Sequence, residues 1–198
     1  MKDLERILRD RGFAYLDEQT DHDAREVARR LGRSSMSHEL KPRKQAAADP
    51  WSLSGVYGLG PFPWHTDGAI SSDPPRWVLL RAVRVSEGTW TELLEPDVEV
   101  QTAMRRTVLR ATDRTGRIRH LPAAVPDGDR WRLRWDPRTC APRTGLTIDE
   151  MQRQSCTETV TWAEGRLLII DNSRLLHRRP AVDERAERLL ERIYVWGE

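Results

Sequence analysis

The chain has 198 residues, of which 38% are hydrophobic and 32% charged, and its 33 Lys and Arg against 31 Asp and Glu leave a formal net charge of +2. This length and composition predict one globular domain, 1–198, and exclude an integral membrane protein, because no apolar run approaches the ~18 residues that a membrane span needs. Basic and acidic residues are interspersed, so we expect no nucleic-acid partner.

The cysteine content and the N-terminal pattern bear on the cellular compartment. Cys140 and Cys156 are too few for a disulfide scaffold and lack zinc-finger spacing, so we expect reduced thiols. The N-terminal sequence is charged and has no apolar signal-peptide stretch behind it. We therefore expect a cytoplasmic protein without a membrane partner, and the sequence leaves its oligomeric state open.

The first 32 residues predict a helix, a strand and a second helix that together cover one side of a core. Apolar residues recur at helical spacing in residues 2–11, and a short strand is expected at 13–16. Asp21 or Asp23 can cap the second helix, which ends at Gly32. Residues 33–50 are polar and predict a mobile loop of the kind that often lies beside active sites, and the sequence leaves open whether it is a lid.

Beyond the polar loop, the hydrophobic pattern changes from helical to extended. Short apolar segments alternate with Gly, Pro and Asp turns, such as the turn at 126–129, and a helix is predicted at 97–110. The predicted strands are 54–57, 77–83, 131–135, 166–170 and 193–196. Many short strands separated by turns are typical of a sandwich, a jelly roll or a small barrel, so we expect a mainly β fold with flanking helices.

The segment 61–68 contains the sharpest chemical motif. His65 and Asp67 stand two residues apart, and side chains at i and i+2 of an extended segment point to the same face, so both can bind one ion. A His/Asp pair alone is more often a hydrogen-bonded turn, but the apolar run 166–170 leads to a third ligand, His177. Two histidines and a carboxylate leave three coordination positions open, the arrangement of non-haem Fe(II) oxygenases.

These motifs resemble the TauD/TfdA (taurine dioxygenase-like) family of Fe(II)- and 2-oxoglutarate-dependent dioxygenases. The resemblance covers 52–95, 165–196 and the N-terminal helix-strand-helix, and it implies a double-stranded β-helix, the clavaminate synthase-like jelly roll. It implies that His65, Asp67 and His177 bind Fe(II), with 2-oxoglutarate as cosubstrate and O₂ as oxidant. The chain is shorter than the usual family member, so substrates of larger relatives do not transfer to it.

The resemblance also implies which residues hold 2-oxoglutarate. Arg188 stands 11 positions after His177, where the family has an arginine that clamps the far carboxylate. A guanidinium suits that task because it stays charged and binds a carboxylate through two parallel hydrogen bonds. In the segment 88–95, Thr91 is the best match to a threonine whose hydroxyl binds the same carboxylate, and Thr89 is the alternative.

Four further residues are candidates for contact with the substrate. Arg192 stands where relatives carry a second arginine, which meets an anionic substrate or supports the first. Trp64 is adjacent to a predicted ligand, although tryptophans pack in cores more often than they contact substrates. Arg134 lies in a strand that the resemblance places near the pocket, with an exposed strand face as the alternative. His38 lies in the polar loop, where a plain surface position is the alternative.

The resemblance predicts an enzyme that oxidises an unactivated C–H bond of a small anionic or zwitterionic molecule, such as an amino acid or a natural-product intermediate, and releases succinate and CO₂. Hydroxylation is the default outcome; the Asp67 carboxylate argues against halogenation, while desaturation, cyclisation and epimerisation stay open. One alternative is a cupin-type metalloprotein with Zn or Mn in non-oxidative isomerase or hydrolase chemistry, which leaves Arg188 and Thr91 without a ligand. The other is a non-catalytic binding module, against which the intact ligand set speaks.

Overall fold

The computed structural model describes residues 2–128 and 130–197 of the chain. Helices are α1 Lys2–Arg11, α2 Asp21–Leu31, α3 Leu53–Tyr57, α4 Val98–Arg105 and α5 Ile148–Gln152, with a 3-10 turn at Gln45–Ala47. Strands are β1 Phe13–Leu16, β2 Arg33–Ser34, β3 His38–Leu40, β4 Trp77–Val85, β5 Trp90–Leu94, β6 Val108–Thr112, β7 Ile118–Pro122, β8 Ala124–Asp127, β9 Arg130–Leu133, β10 Cys140–Pro142, β11 Glu158–Thr161, β12 Leu167–Asp171, β13 Leu176–Arg178 and β14 Arg188–Trp196. None of these helices is long and apolar enough to cross a membrane.

The largest sheet has six antiparallel strands in the order β1-β12-β4-β14-β2, and β3 also pairs with β14. Strand β12, between β1 and β4, is buried on both faces, as its apolar sequence predicts. Leu167 and Ile169 pack under the N-terminal helices, where Leu8 and Ala28 meet them. Because each fully buried aliphatic side chain stabilises the fold by roughly 1.5–3 kcal/mol, this strand anchors the N-terminal cover to the core.

A second antiparallel sheet, in the order β11-β5-β13, faces the large sheet. Leu93 and Trp162 from this sheet and its border pack against Leu168 and Ile170, the residues of β12 that alternate with those under the helices. The two facing sheets with helices on one side confirm the mainly β fold and its jelly-roll core. A third apolar cluster surrounds α4 and includes Trp64.

The structure confirms the N-terminal helix, strand and helix but corrects the cap of α2. Thr20 is the N-cap: its hydroxyl accepts a hydrogen bond from the Asp23 backbone at 3.2 Å, and Asp23 accepts one from the Thr20 backbone at 3.0 Å. Asp23 is therefore the reciprocal partner in a capping box, and Asp21 belongs to the first turn. The predicted end of the helix at Gly32 is confirmed.

Two segments differ from the predicted secondary structure. Residues 54–57, expected as a strand, form α3, because the Ser52 hydroxyl accepts a hydrogen bond from the Gly55 backbone and Gly58 ends the helix at a positive φ. The helix expected at 97–110 ends at Arg105, and the following residues form β6, where pairing with β7 and β10 outweighs helical propensity.

The polar segment 33–50 is more ordered in structure than the expected mobile loop. Its two short strands, β2 and β3, pair with β14, so the sheet edge overrides the loop-like composition. The expected turn at 126–129 includes Asp129, which lies outside the described residues. Cys140 is buried, Cys156 is exposed, and neither forms a disulfide within the described residues.

Candidate metal centre and binding cavity

Three predicted ligands come together in the structure. His65, Asp67 and His177 are buried, and one ligand atom from each lies within 4.8 Å of the others. His177 belongs to β13, and His65 forms an isolated bridge beside it. Their backbones exchange hydrogen bonds of 3.1 and 2.9 Å, which fixes the two imidazoles on neighbouring segments with ring centroids 4.3 Å apart.

The protonation states of the cluster suit metal binding. The ring Nδ1 of His65 lies 2.9 Å from the Pro63 carbonyl, which can only accept, so Nδ1 carries the proton and Nε2 is left free as a ligand. Burial, and then the neighbouring His65, lower the pKa of His177 to about 3, so its imidazole is neutral at neutral pH. Burial opposes ionisation of Asp67, but the positive charge of Arg192, with smaller electrostatic contributions from His177 and His65, outweighs it and holds the pKa of Asp67 below its usual value.

Asn172 holds the backbone around Asp67 and was missed by the sequence analysis. Its side-chain oxygen accepts from the Asp67 backbone N–H at 2.7 Å, and its amide nitrogen donates to the carbonyls of Asp67 and Pro75, both at 2.9 Å. The amide is buried with all three contacts satisfied. A polar residue directly after the apolar strand β12 is the sequence signal that indicates such a role.

A buried arginine lies at one wall of the cavity. Arg188 donates from Nη2 to the Thr91 hydroxyl at 3.1 Å, and the same oxygen accepts from the Trp162 indole at 3.1 Å. Because that oxygen accepts both bonds, the Thr91 hydroxyl proton is available to a ligand. Thr89 instead donates to the Ser86 carbonyl at 3.0 Å and does not line the cavity, so of the two threonines the structure places Thr91 beside the arginine.

Arg188 forms no ion pair with any carboxylate in the described part of the chain, and its Nε has no hydrogen-bond partner. Burial, and then the neighbouring Arg179, lower the pKa of Arg188 to about 9, so the group is still charged at neutral pH. A buried charge without a counter-ion is costly. The wall around Arg188 and Thr91 is therefore suited to an anion.

The metal cluster and the buried arginine line one cavity of about 490 Å³. Alternate residues of β14 point into it, because side chains two apart share a face of a strand. These residues are Arg188, Leu190, Arg192 and Tyr194. Residues 39–43, 48–49 and 51–54 also line the cavity, so the beginning of α3 lies beside the site. The role of 33–50 as a lid stays a prediction.

Arg192 is the one predicted substrate contact among the four that lines the cavity. Its Nη1 lies 3.5 Å from the Asp67 carboxylate, and its guanidinium stacks over the Tyr194 ring at 4.4 Å. Tyr194 was missed, although it stands two residues after Arg192 and so shares its face of the strand. Burial, with the nearby Asp67 carboxylate, raises the pKa of Tyr194, which keeps the phenol protonated.

The structure places the other three predicted substrate contacts away from the cavity. Trp64 is fully buried in the α4 cluster, where its indole donates to the Gln154 carbonyl at 3.2 Å. Arg134 is buried and donates to the carbonyls of Ala69 and Ser71 at 3.0 and 2.6 Å. His38 is exposed on β3, opposite Arg192 in register, and does not line the cavity. Trp64 packs in the core. Arg134 binds backbone carbonyls of a loop, and His38 lies on the exposed strand β3.

The donors in the cavity fit the groups that the motifs imply. Two imidazoles and one carboxylate match the ligand set of a non-haem Fe(II) site with open positions. The orphaned Nε of Arg188 and the free proton of Thr91 match the far carboxylate of a 2-oxo acid whose other end chelates the metal.

Comparison with known proteins agrees with this geometry. The family model of the taurine catabolism dioxygenase TauD, TfdA family, matches residues 1–93. No curated protein sequence matches the chain. Among solved structures, a taurine dioxygenase from Burkholderia xenovorans superposes with a TM-score of 0.72 at 17% identity, covering 100% of this chain and 82% of the other.

Two further solved structures contain a bound hydroxylated amino acid. An asparagine oxygenase in complex with Fe(II), 2S,3S-3-hydroxyasparagine and succinate has a TM-score of 0.72 at 18% identity, covering 98% of this chain and 78% of the other. A variant of the non-haem iron oxygenase OrfP in complex with (3S)-hydroxy-L-Arg has a TM-score of 0.71 at 18% identity, with the same two coverages. The match over residues 1–93 and the shared fold confirm the resemblance that the motifs indicate: the chain has the jelly-roll fold of the TauD/TfdA family.

Proposed function

We propose that the chain is an Fe(II)- and 2-oxoglutarate-dependent oxygenase that oxidises a C–H bond of a small molecule. The observation that carries the proposal is the joint presence, in one cavity, of the buried His65, Asp67 and His177 cluster and of the unpaired guanidinium of Arg188. The metal cluster by itself would also suit a zinc or manganese enzyme, and the buried guanidinium by itself would suit many anions. Together they provide a metal site and an anion site for the two ends of one cosubstrate.

In this proposal, His65, Asp67 and His177 hold the iron, and Arg188 with Thr91 holds the far carboxylate of 2-oxoglutarate. When bound together with O₂, iron and 2-oxoglutarate supply the oxidising power, so that hydroxylation converts R–H, 2-oxoglutarate and O₂ into R–OH, succinate and CO₂. The buried cluster keeps His177 neutral and Asp67 anionic, the forms that bind metal. The buried apolar side chain of Leu190 lines the cavity between the two arginines on β14.

The substrate in this proposal is a small anionic or zwitterionic molecule. The volume of the cavity, about 490 Å³, must hold the cosubstrate as well, which leaves room for a molecule of the size of an amino acid. Arg192 provides a cation on the metal side of the cavity, 3.5 Å from Asp67. The asparagine oxygenase and OrfP structures hold hydroxylated amino acids, which supports an amino acid or a related natural-product intermediate for this chain.

The alternatives are less well supported by the same residues. A cupin-type enzyme with non-oxidative chemistry uses the metal cluster but leaves Arg188 and Thr91 without a ligand. A binding module has no need of three buried metal ligands. The cytoplasmic location and the absence of a nucleic-acid partner stay predictions from composition.

The proposal is tested by turnover of the cosubstrate. Purified protein with Fe(II), ascorbate and O₂ is incubated with 2-oxoglutarate and pools of amino acids, and succinate is quantified. We expect succinate above the level of the protein-free control, a further increase with a pool that contains the substrate, no enzymatic succinate from His177→Ala, and much less from Arg188→Ala at the same concentration of 2-oxoglutarate. Succinate formation that is equal in wild type and His177→Ala would contradict the proposal.

A further inference from the structure

A second buried arginine, Arg179, has no assigned task in the proposed function. It follows β13 two residues after His177 and lines the same cavity. It is 5% exposed. Its Nη2 donates to the carbonyls of Gly58 and Gly60 at 2.8 and 2.7 Å, and its guanidinium stacks over the Phe62 ring at 3.8 Å.

These contacts satisfy only some of the hydrogen-bond donors of the buried guanidinium and do not neutralise its charge. The Nε of Arg179 has no hydrogen-bond partner, and no carboxylate in residues 2–128 or 130–197 forms an ion pair with it. Two carbonyl dipoles and an aromatic face compensate a full charge incompletely in a low-dielectric interior. Burial accordingly lowers the pKa of Arg179 to about 10, which still leaves the group charged at neutral pH.

Arg179 and Arg188 form a pair of like charges. Both residues are buried, both line the same cavity, and the Nε of each has no hydrogen-bond partner. The charge of Arg179 also lowers the pKa of Arg188. The other cavity arginines near the metal have acidic neighbours: Arg192 faces Asp67, Arg138 pairs with Asp136 at 2.6 Å, and Arg178 pairs with Glu92. Excess positive charge is thus concentrated at the end of the cavity that carries Arg188 and Thr91.

We propose that Arg179 and Arg188 act as a two-arginine site for the far carboxylate of the 2-oxo acid, in which Arg188 contacts the carboxylate and Arg179 adds the electrostatic attraction that selects a dianion over a monoanion. This inference rests on the proposed function and extends it to a residue that selects the cosubstrate. The carbonyl contacts of Arg179 give it an additional positioning role, because they attach the strand of His177 to the segment that leads to His65.

The test separates attraction of the carboxylate from support of the loop. Calorimetric titrations of the Mn(II)-loaded protein compare 2-oxoglutarate with 2-oxopentanoate, which chelates a metal in the same way but lacks the far carboxylate. We expect Arg179→Gln, which keeps an amide donor for the carbonyls, to weaken binding of 2-oxoglutarate about tenfold and to leave binding of 2-oxopentanoate within about twofold. Arg179→Lys, which keeps the charge, retains most of the preference for the dianion.

A control for net charge accompanies these titrations, and specific results would overturn the inference. Arg153→Gln removes an exposed arginine outside the cavity and is expected to leave the preference unchanged, so a general effect of net charge is controlled. Equal weakening of both ligands in Arg179→Gln, or a loss of the preference in Arg179→Lys as large as in the Gln variant, would overturn the proposal and leave Arg179 a support for the loop. If the Gln variant does not fold, the Lys variant is compared with wild type: a retained preference for 2-oxoglutarate supports the proposal, and a lost preference overturns it. A wild-type protein that does not bind 2-oxoglutarate would contradict the proposed function as well.

Discussion

The backbones of His65 and His177 exchange two hydrogen bonds of 3.1 and 2.9 Å, although the two residues come from distant parts of the sequence. This pair of hydrogen bonds places the two imidazoles side by side, so backbone pairing, and not a loop conformation, fixes their relative position. Phe62 and Arg179 continue the contact, with a 2.8 Å hydrogen bond between their backbones. The candidate metal centre is therefore built on sheet-like pairing, which gives precise ligand geometry before any ion binds.

Removal of one ligand should abolish metal binding without loss of the fold. We predict that His177→Ala weakens binding of Mn(II) or Fe(II) by more than about 100-fold, because even loss of a group that only supports a ligand costs about 10–100-fold. His38→Ala, an exposed histidine away from the cavity, is the matched control and should bind metal like wild type. Metal titration by calorimetry checks both, and equal affinity in His177→Ala would contradict the assignment.

Asn172 should act on the metal through the backbone of Asp67. Asn172→Ala removes three buried hydrogen bonds and leaves the backbone groups of Asp67 and Pro75 buried without these partners. We expect metal affinity to fall about tenfold and the free energy of unfolding to fall by about 2–4 kcal/mol. Chemical denaturation and metal titration on the same preparation measure the two effects. Unchanged metal affinity in a folded Asn172→Ala protein would show that Asp67 needs no such support.

The two threonines of the β5 region offer a matched pair of substitutions. Thr91→Val removes the hydroxyl that joins Arg188 to Trp162, so we predict about tenfold weaker binding of 2-oxoglutarate. Thr89→Val loses only a bond to the Ser86 carbonyl, and its affinity for 2-oxoglutarate should stay within about twofold of wild type. Titration of the metal-loaded variants decides between them. The reverse order of effects would assign the cosubstrate hydroxyl to Thr89.

Arg134 should matter for stability and not for the site. Its guanidinium donates to the carbonyls of Ala69 and Ser71 and does not line the cavity. Arg134→Ala is therefore expected to lower the free energy of unfolding by about 2–3 kcal/mol while leaving the affinity for 2-oxoglutarate unchanged. Urea unfolding and ligand titration test the two parts separately. A specific loss of ligand affinity at unchanged stability would restore Arg134 to the binding site.

The two thiols should differ in reactivity. Burial raises the pKa of Cys140 to about 11, and its side chain is 3% exposed, so little thiolate forms below pH 9 and reagents cannot reach it. At pH 8 a thiol reagent should modify Cys156 rapidly in the native protein and Cys140 only after unfolding. Mass spectrometry of the labelled peptides distinguishes the sites, and fast labelling of both would contradict the burial of Cys140.

The sequence predicted those parts of the fold that depend on local pattern. The apolar run of β12, the helical spacing of α1 and the extended pattern of β4 are strong signals because burial on one or both faces imposes them. The errors lie where one hydrogen bond or one pairing decides. The N-cap hydrogen bond of Ser52 stabilises the helix α3 where a strand was predicted. Pairing of β2 and β3 with β14 orders part of the segment 33–50, which was predicted to be a mobile loop.

In the site, too, residues that belong to a short sequence motif were predicted, and residues whose positions depend on tertiary contacts were not. The spacing of His65 and Asp67, with His177 after an apolar strand, was sufficient to indicate which three residues the fold brings together. Trp64 and Arg134 were placed near the substrate only by adjacency in sequence or by resemblance, and their side chains point into the core and toward a loop. The sequence analysis could have found Arg179, because it stands two residues after His177 and side chains two apart in an extended segment share a face.

The most direct test of the central claim is an anaerobic optical titration of the metal-free protein, first with Fe(II) and then with 2-oxoglutarate. A visible charge-transfer band requires that the 2-oxo acid chelate iron held by the protein. We predict that the band appears in wild type only when both are present, is absent in His177→Ala, and requires much more 2-oxoglutarate in Arg188→Ala. Iron binding to wild type without any band on addition of saturating 2-oxoglutarate would contradict the account and favour non-oxidative metal chemistry.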